Sequence, residues 1–234
     1  MKKIRTRKEI DELCETIVRQ FAGEDYITKP VDIAGLALTH LKLNVKYVRF
    51  ADRSKERLGC ISDGFTLYKL INNGRIGEYV VPKDTILLDM SLKGDENRAR
   101  RRFTLAHEVY HYIDNVVNGN KVYSYCSKLR NDMEYTKKEL DESLSIDEWA
   151  ADRGAAALLM PKGLIYTTAR TRFGDDGIPI FGDNLLLPED KAKIADMAEF
   201  LGVSYTALMI RLKELRLFKY HNANEYFIIA LGGG

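Results

Sequence analysis

Histidine is scarce in this chain, with four among 234 residues: His40, His107, His111 and His221. A histidine-rich metal cage is therefore excluded, and any transition-metal site must use very few imidazoles. Cysteine is scarcer still. Cys14, Cys60 and Cys126 are odd in number, widely spaced and form no C-x-x-C pair. That excludes a disulfide framework or a thiolate zinc cage and suits a reducing cytosol. No apolar run approaches the roughly eighteen residues of a membrane-spanning helix. The basic start, Met1-Lys-Lys-Ile-Arg-Thr-Arg-Lys8, meets charged residues where a signal peptide needs an apolar core. Proline (five) and glycine (17) do not gather into a low-complexity linker. A large excess of either charge is missing too, since 36 basic and 34 acidic side chains leave a formal +2. Such balance argues against a surface devoted to nucleic acid or anionic membrane. What remains is the expectation of a cytoplasmic folded protein, 45% hydrophobic and 30% charged, with a sizeable core.

Periodicity supplies the elements. Ile10, Leu13, Ile17 and Phe21 recur at helical spacing, which predicts a helix over 8–21. A second follows Pro30, over about 31–41. Strands are predicted over 44–50, 59–70 and 78–89, with Asn72-Asn73-Gly74 as a turn signal and Pro82 marking an edge position or a bulge. The pattern then turns helical over 97–115. A polar stretch covers 118–145, and another helix runs from Ile146 to a stop at Pro161. Glycine and aspartate mark 171–188 as loop. Helices over 189–201 and 204–217 meet at Gly202, and 226–231 reads as a short closing strand. Helices, a small antiparallel meander, then helices predict an α+β fold. Its expected organisation is a core over 1–166, a loop or linker over 167–188 and a C-terminal helical segment over 189–234, packed on that core.

The chemistry concentrates in Arg102-Phe-Thr-Leu-Ala-His-Glu-Val-Tyr-His-Tyr-Ile-Asp114, which contains H-E-x-x-H as His107, Glu108 and His111. Positions i and i+4 of an α-helix share one face, so both imidazoles can meet one zinc ion. Glu108 lies about 100° further round the helix, where it can reach a metal-bound water as general base without being a ligand. Phe103, Ala106, Tyr110 and Ile113 form an adjoining apolar stripe that buries one side of the helix. The same histidines would also suit a helix surface or a hydrogen-bonded core. A catalytic zinc needs three protein ligands and an open position. Asp114 and Val117 stand where the longer Met-turn pattern requires glycine and histidine, so a carboxylate must complete the set. Glu148 is best placed, with Glu134, Glu139 and Glu142 as alternatives. Glu148 and Asp152 share a helix face with Ala151 and Ala155, small residues that let two helices approach closely. Asp152 could accept a hydrogen bond from a ligand imidazole and hold its tautomer.

Three stretches, Arg102 to His111, Glu148 to Asp152 and Ala155-Ala-Ala-Leu-Leu-Met-Pro161, together resemble the ImmA/IrrE-type zinc metallopeptidases. The family pattern is R-F-T-L-A-H-E-x-x-H, then E-x-x-A-N/D, then a small-residue run ending L-L-M-P. The similarity covers roughly Pro30 to Pro161. It implies a minimal zincin-like core, with a small antiparallel sheet packed on the H-E-x-x-H helix, and Glu148 as third ligand to Zn2+. It also implies an endopeptidase in which Glu108 takes a proton from water and delivers it to the leaving amine. The implied substrate is a helix-turn-helix repressor of a mobile element, prophage or stress response, cleaved in the cytoplasm. The residues 78–89 are the candidate edge strand for an extended substrate; His221 or a tyrosine is a candidate donor to the oxyanion. The chain departs from the family pattern at Tyr110, where glycine is common, at Ala150, where a second glutamate is frequent, and at Gly154, where an aromatic is usual.

The competing reading is a DNA-binding regulator, since 197–215 reads as helix, glycine turn, V-S cap and second helix. Lys2 to Lys8 and Arg98 to Arg102 would supply phosphate contacts. Against it, Leu208, Met209, Ile210, Leu212, Leu215 and Leu217 cover opposing faces of the second helix, leaving little polar face for a groove. Structural packing is therefore expected there, not direct nucleic-acid binding. A metal-sensing regulator that cleaves nothing is the remaining alternative.

Overall fold

The structure, a computed structural model, describes residues 5–51, 57–118, 125–128 and 146–232. Helix α1 (Arg7–Ala22) opens with a capping box: the Glu9 N–H donates to Thr6 Oγ1 (3.3 Å) and the Thr6 N–H to the Glu9 carboxylate (2.8 Å). Its buried face is Ile10, Asp11, Cys14 and Val18, while Leu13, Ile17 and Phe21 are only partly covered. The helix is thus turned slightly from its apolar stripe because Asp11 also has a partner inside. A short α2 (Ile33–Gly35), capped by Asp32, continues as one π turn over Leu36–His40.

Six strands follow before or beside the next long helix: β1 (Asn44–Val48), β2 (Arg57–Ile61), β3 (Leu67–Asn72), β4 (Arg75–Val80), β5 (Thr85–Asp89) and β6 (Tyr125–Lys128). The expected strands over 59–70 and 78–89 are each broken in two. Asp63 accepts the N–H groups of Phe65 and Thr66 (2.8 Å each), and Gly64 sits at φ 86°, which turns the chain after β2. Val81 and Pro82 lie between β4 and β5. β3 and β4 form a separate ribbon, joined by Asn73 and Gly74 at φ 50° and 76°, the positive pair a tight hairpin requires.

The main sheet has the order β1-β5-β2-β6, with β1 parallel to β5 and the other pairs antiparallel. The purely antiparallel meander expected from sequence is therefore corrected to a mixed sheet. Residues 85–89 are corrected from an edge to an interior strand. Thr85, Ile86, Leu87 and Leu88 are buried on both faces, so this strand belongs between neighbours.

Helix α3 (Arg98–Val117) packs on β2, β5 and β6, and α4 (Ile146–Leu159) packs on α3, with α1 against α4. Then come α5 (Lys162–Phe173), β7 (Ile178–Phe181), α6 (Pro188–Leu201), α7 (Tyr205–Glu214), β8 (Phe218–His221) and α8 (Ala223–Gly232). The architecture is α+β. The stretch 167–188 carries more regular structure than its composition suggests, because α5 runs on to Gly174 and β7 finds a parallel partner in β8. The closing strand expected over 226–231 is corrected to helix. Asn222 caps it, its Oδ1 accepting the Asn224 N–H (2.9 Å) and its own N–H donating to Glu225 (3.1 Å). That local cap outweighs the strand preference of Tyr-Phe-Ile-Ile.

Arginines tie these layers together. Arg211 of α7 is 1% exposed, and it donates to Asp11 of α1 (2.8 Å) and to the Met160 carbonyl (3.0 Å). Leu208 and Leu212 join the same apolar core as Ile10, Val109 and Leu158. Arg102 of α3 donates to the carbonyls of Gly202 (3.1 Å), Leu201 (3.3 Å) and Val31 (2.8 Å), closing the C-terminus of α6. Arg101 caps three more carbonyls, those of Leu92, Lys93 and Gly94, each at 3.0 Å. The charges of Arg101 and Arg102 in the first turns of α3 are thus met by the carbonyls of other segments.

Removing Asp11 would strand the buried Arg211 charge, so Asp11→Ala should cost about 3–5 kcal/mol in urea unfolding. Lys29→Ala, which breaks an exposed pair with Asp25, should change stability by less than about 1 kcal/mol.

Candidate metal centre

The site is built where α4 crosses α3. Ala151 and Ala155 of α4 are fully buried at this contact, and such small side chains let the backbones draw together. Gly154 shows how close they come. A Cβ added there would lie 1.9–2.5 Å from ring atoms of Tyr110, so the tyrosine ring rests on bare backbone. The large residue at 110 and the glycine at 154 are therefore two sides of a single contact.

The same crossing brings Glu148 to the histidines. His107 and His111, 4% and 3% exposed, present Nε2 atoms 3.0 Å apart with rings near perpendicular at 74°. Glu148 Oε2 lies 3.4 Å from His107 Nε2, and Oε1 lies 3.4 Å from His111 Nε2. Two nitrogen lone pairs do not face each other at 3.0 Å without a proton or a cation between them. Donors bound at 2.0–2.1 Å to a tetrahedral ion stand roughly 3.3 Å apart, so the spacing fits. Among the described residues this is the group of three donors that can coordinate a metal ion, its atoms all within 4.8 Å of one another. The alternatives Glu134, Glu139 and Glu142 lie outside the described residues.

Asp152, one turn beyond Glu148, meets the other nitrogen of His107, with Oδ1 3.0 Å from Nδ1. A proton held on Nδ1 leaves Nε2 as the donor atom. Glu108 is fully buried on the sheet side of α3. A Cβ on Gly59 of β2 would lie 2.7 Å from Thr104 Cγ2 and 3.0 Å from Glu108 Oε1, so glycine is what makes room for this carboxylate. Gly59 was missed in the sequence; the available signal was an isolated glycine inside an apolar strand. His221, by contrast, lies in β8, 3.2 Å from Glu225 and against the Phe181 ring, and His40 stacks edge-on with Phe21.

Electrostatics follow from burial. Burial alone would push the His107 imidazole down, but hydrogen bonds to Asp152 and Glu148 and the charge of Glu108 outweigh it and raise its pKa to about 10. Burial pushes the Glu148 carboxyl up, yet His107 and His111 overcome this and hold it well below the usual carboxylate range.

An α+β chain with two buried histidines and a partly buried glutamate converging from two crossing helices has the makings of a metal-binding protein. The IrrE N-terminal-like domain, a peptidase family, matches residues 89–213, more than half of the chain. The chain belongs to that family. The match starts later than the resemblance over 30–161 suggests, and it continues through 167–188 and α6 into α7. No curated protein matches the chain significantly.

Two outcomes follow. Gly154→Ala should cost about 1–3 kcal/mol by overpacking and Tyr110→Gly about 3–5 kcal/mol by leaving a cavity. The double variant Tyr110→Gly, Gly154→Ala should lose less stability than the two single losses added together, as denaturant unfolding of the double-mutant cycle would show. Because His107 is protonated below about pH 10 without an ion, metal must displace that proton. Zinc binding at pH 7 should release protons and weaken as pH falls, measurable by calorimetry in buffers of different ionisation enthalpy.

Proposed function

We propose that the chain is a zinc-dependent endopeptidase with a zincin-like core, in which His107, His111 and Glu148 hold Zn2+. The observation that carries this reading is the convergence of three donor atoms from α3 and α4 at spacings a tetrahedral ion would demand. When bound, zinc supplies Lewis acidity, which polarises a peptide carbonyl and makes water acidic. Glu108, beside the ligands on the same helix, accepts the water's proton on its carboxylate and passes it to the leaving amine. Gly59 of β2 leaves the room in which that carboxylate sits. Asp152 positions His107 by holding the Nδ1 proton. Burial of both imidazoles excludes water from the ligand side, where it would weaken these contacts.

The substrate is a protein, and the family resemblance points to a repressor-type transcription factor with a helix-turn-helix, cleaved in the cytoplasm. Among the described residues no helix is long and apolar enough to cross a membrane. The DNA-binding alternative draws less support. The mid-helix cation of α7, Arg211, is buried against Asp11, and Leu208 and Leu212 face the core. The family match also runs into α7, which favours its being part of the peptidase unit.

Purified protein should carry about one zinc per chain, and Glu108→Gln should keep the metal while cleavage falls by a factor of about 100 or more. Metal analysis by mass spectrometry and a repressor-cleavage assay test this together. Undiminished cleavage by Glu108→Gln would overturn the role given to Glu108, and protein that binds no zinc would overturn the whole reading.

A further inference from the structure

A second site lies away from the donor set, where α1, α4, α5 and α7 meet. A cleft of about 330 Å³ there is lined by five cations, Arg7, Lys8, Arg153, Lys162 and Arg216, against two carboxylates, Asp11 and Glu214. Both carboxylates are already engaged. Asp11 receives Arg211 at 2.8 Å and stands 3.6 Å from Lys162, while Glu214 is bridged by Arg153. Among the described residues Lys8 reaches only the exposed Glu12, at 3.8 Å. Arg7 lies over the Trp149 ring, and among the described residues neither it nor Arg216 pairs with a carboxylate. Positive charge is therefore in excess around a space of small-ligand size.

One buried donor sharpens this. Arg153 has a side chain 9% exposed, and its Nε makes no hydrogen bond among the described residues. Buried N–H groups of a guanidinium are costly to leave unmet. Burial and the charge of Arg211, only partly offset by Asp11, push the Arg153 guanidinium down to about 10. The backbone adds a further sign. Arg216 stands at φ 57° in a Schellman turn after α7, its N–H donating to Lys213 and that of Leu217 to Leu212. Glycine is usual at this position, yet here an arginine side chain is delivered to the cleft.

We propose that this cleft binds a small polyanion of the phosphate class, such as pyrophosphate or the triphosphate of a nucleotide. Guanidinium forks match phosphate oxygens two at a time, and several cations around one cleft suit a multiply charged group. The ligand would bridge α1, α5 and α7 to α4, the helix that carries Glu148 and Asp152. This assignment is independent of whether the metal centre cleaves peptides.

The test is thermal unfolding of the full chain with inorganic pyrophosphate, with a nucleoside triphosphate, and with sodium chloride of equal ionic strength. Affinities come from calorimetry. The comparison is with Lys8→Ala, Arg216→Gly, whose glycine fits the local backbone, and with Arg100→Ala as an exposed cation elsewhere. We expect pyrophosphate or the triphosphate to raise the midpoint beyond sodium chloride, with affinity falling at least tenfold in Lys8→Ala, Arg216→Gly and unchanged in Arg100→Ala. A response to both ligands assigns the phosphates as sufficient; a response to the triphosphate alone assigns a nucleotide. Metal chelation by either ligand would act equally on all variants and so cannot mimic the difference. Equal midpoints in all three solutions, or equal affinity in the cleft variant and the unaltered chain, would overturn the proposal.

Discussion

The close seating of α4 on α3 is the constraint on which the rest depends. Short carboxylate and imidazole ligands reach one point only if their helices nearly touch. Ala151, Gly154 and Ala155 permit that approach, and the Tyr110 ring fills the space that Gly154 leaves. The contact also removes the histidines from water. The charge state of His107 then answers to Asp152, Glu148 and Glu108 more than to solvent, which is why its pKa lies far above the usual range. Packing and site chemistry are here one interaction seen at two scales.

A second theme is the use of arginine to satisfy carbonyls. Helix C-termini leave carbonyl groups without partners, and in this chain Arg101, Arg102 and Arg211 reach across to cap them. Arg102 joins α3 to the end of α6, and Arg211 joins α7 to α1 and to the end of α4. The C-terminal helices are thereby locked to the helices that build the metal centre. A helix-turn-helix pattern in sequence is here a packing unit, and its central cation is consumed inside the protein. Three other arginines, Arg7, Arg153 and Arg216, line the cleft between α1 and α7.

Much of this was legible beforehand, for reasons of local physics. The helices over 8–21, 97–115 and 189–201 follow from period and caps, and they stand within a few residues of their expected bounds. That His107 and His111 meet was readable because a helix alone decides which of its residues share a face. Sheet order was not readable. Residues 85–89 look like any short apolar run, and whether such a run sits at an edge or between neighbours depends on strands distant in sequence. The C-terminal helix was missed because strand preference was weighed and the Asn222 cap was not.

By itself, then, the amino-acid sequence determined the α+β class, the H-E-x-x-H helix and a short set of carboxylates able to complete it. Those are properties of neighbours along the chain, governed by backbone geometry and side-chain chemistry. Only the tertiary structure decided which carboxylate stands 3.4 Å from both imidazoles, and that Asp152 holds the far nitrogen of His107. Only it showed that Tyr110 and Gly154 are two halves of one contact. Such distances depend on how residues some 40 positions apart pack, and packing is settled by the whole core at once.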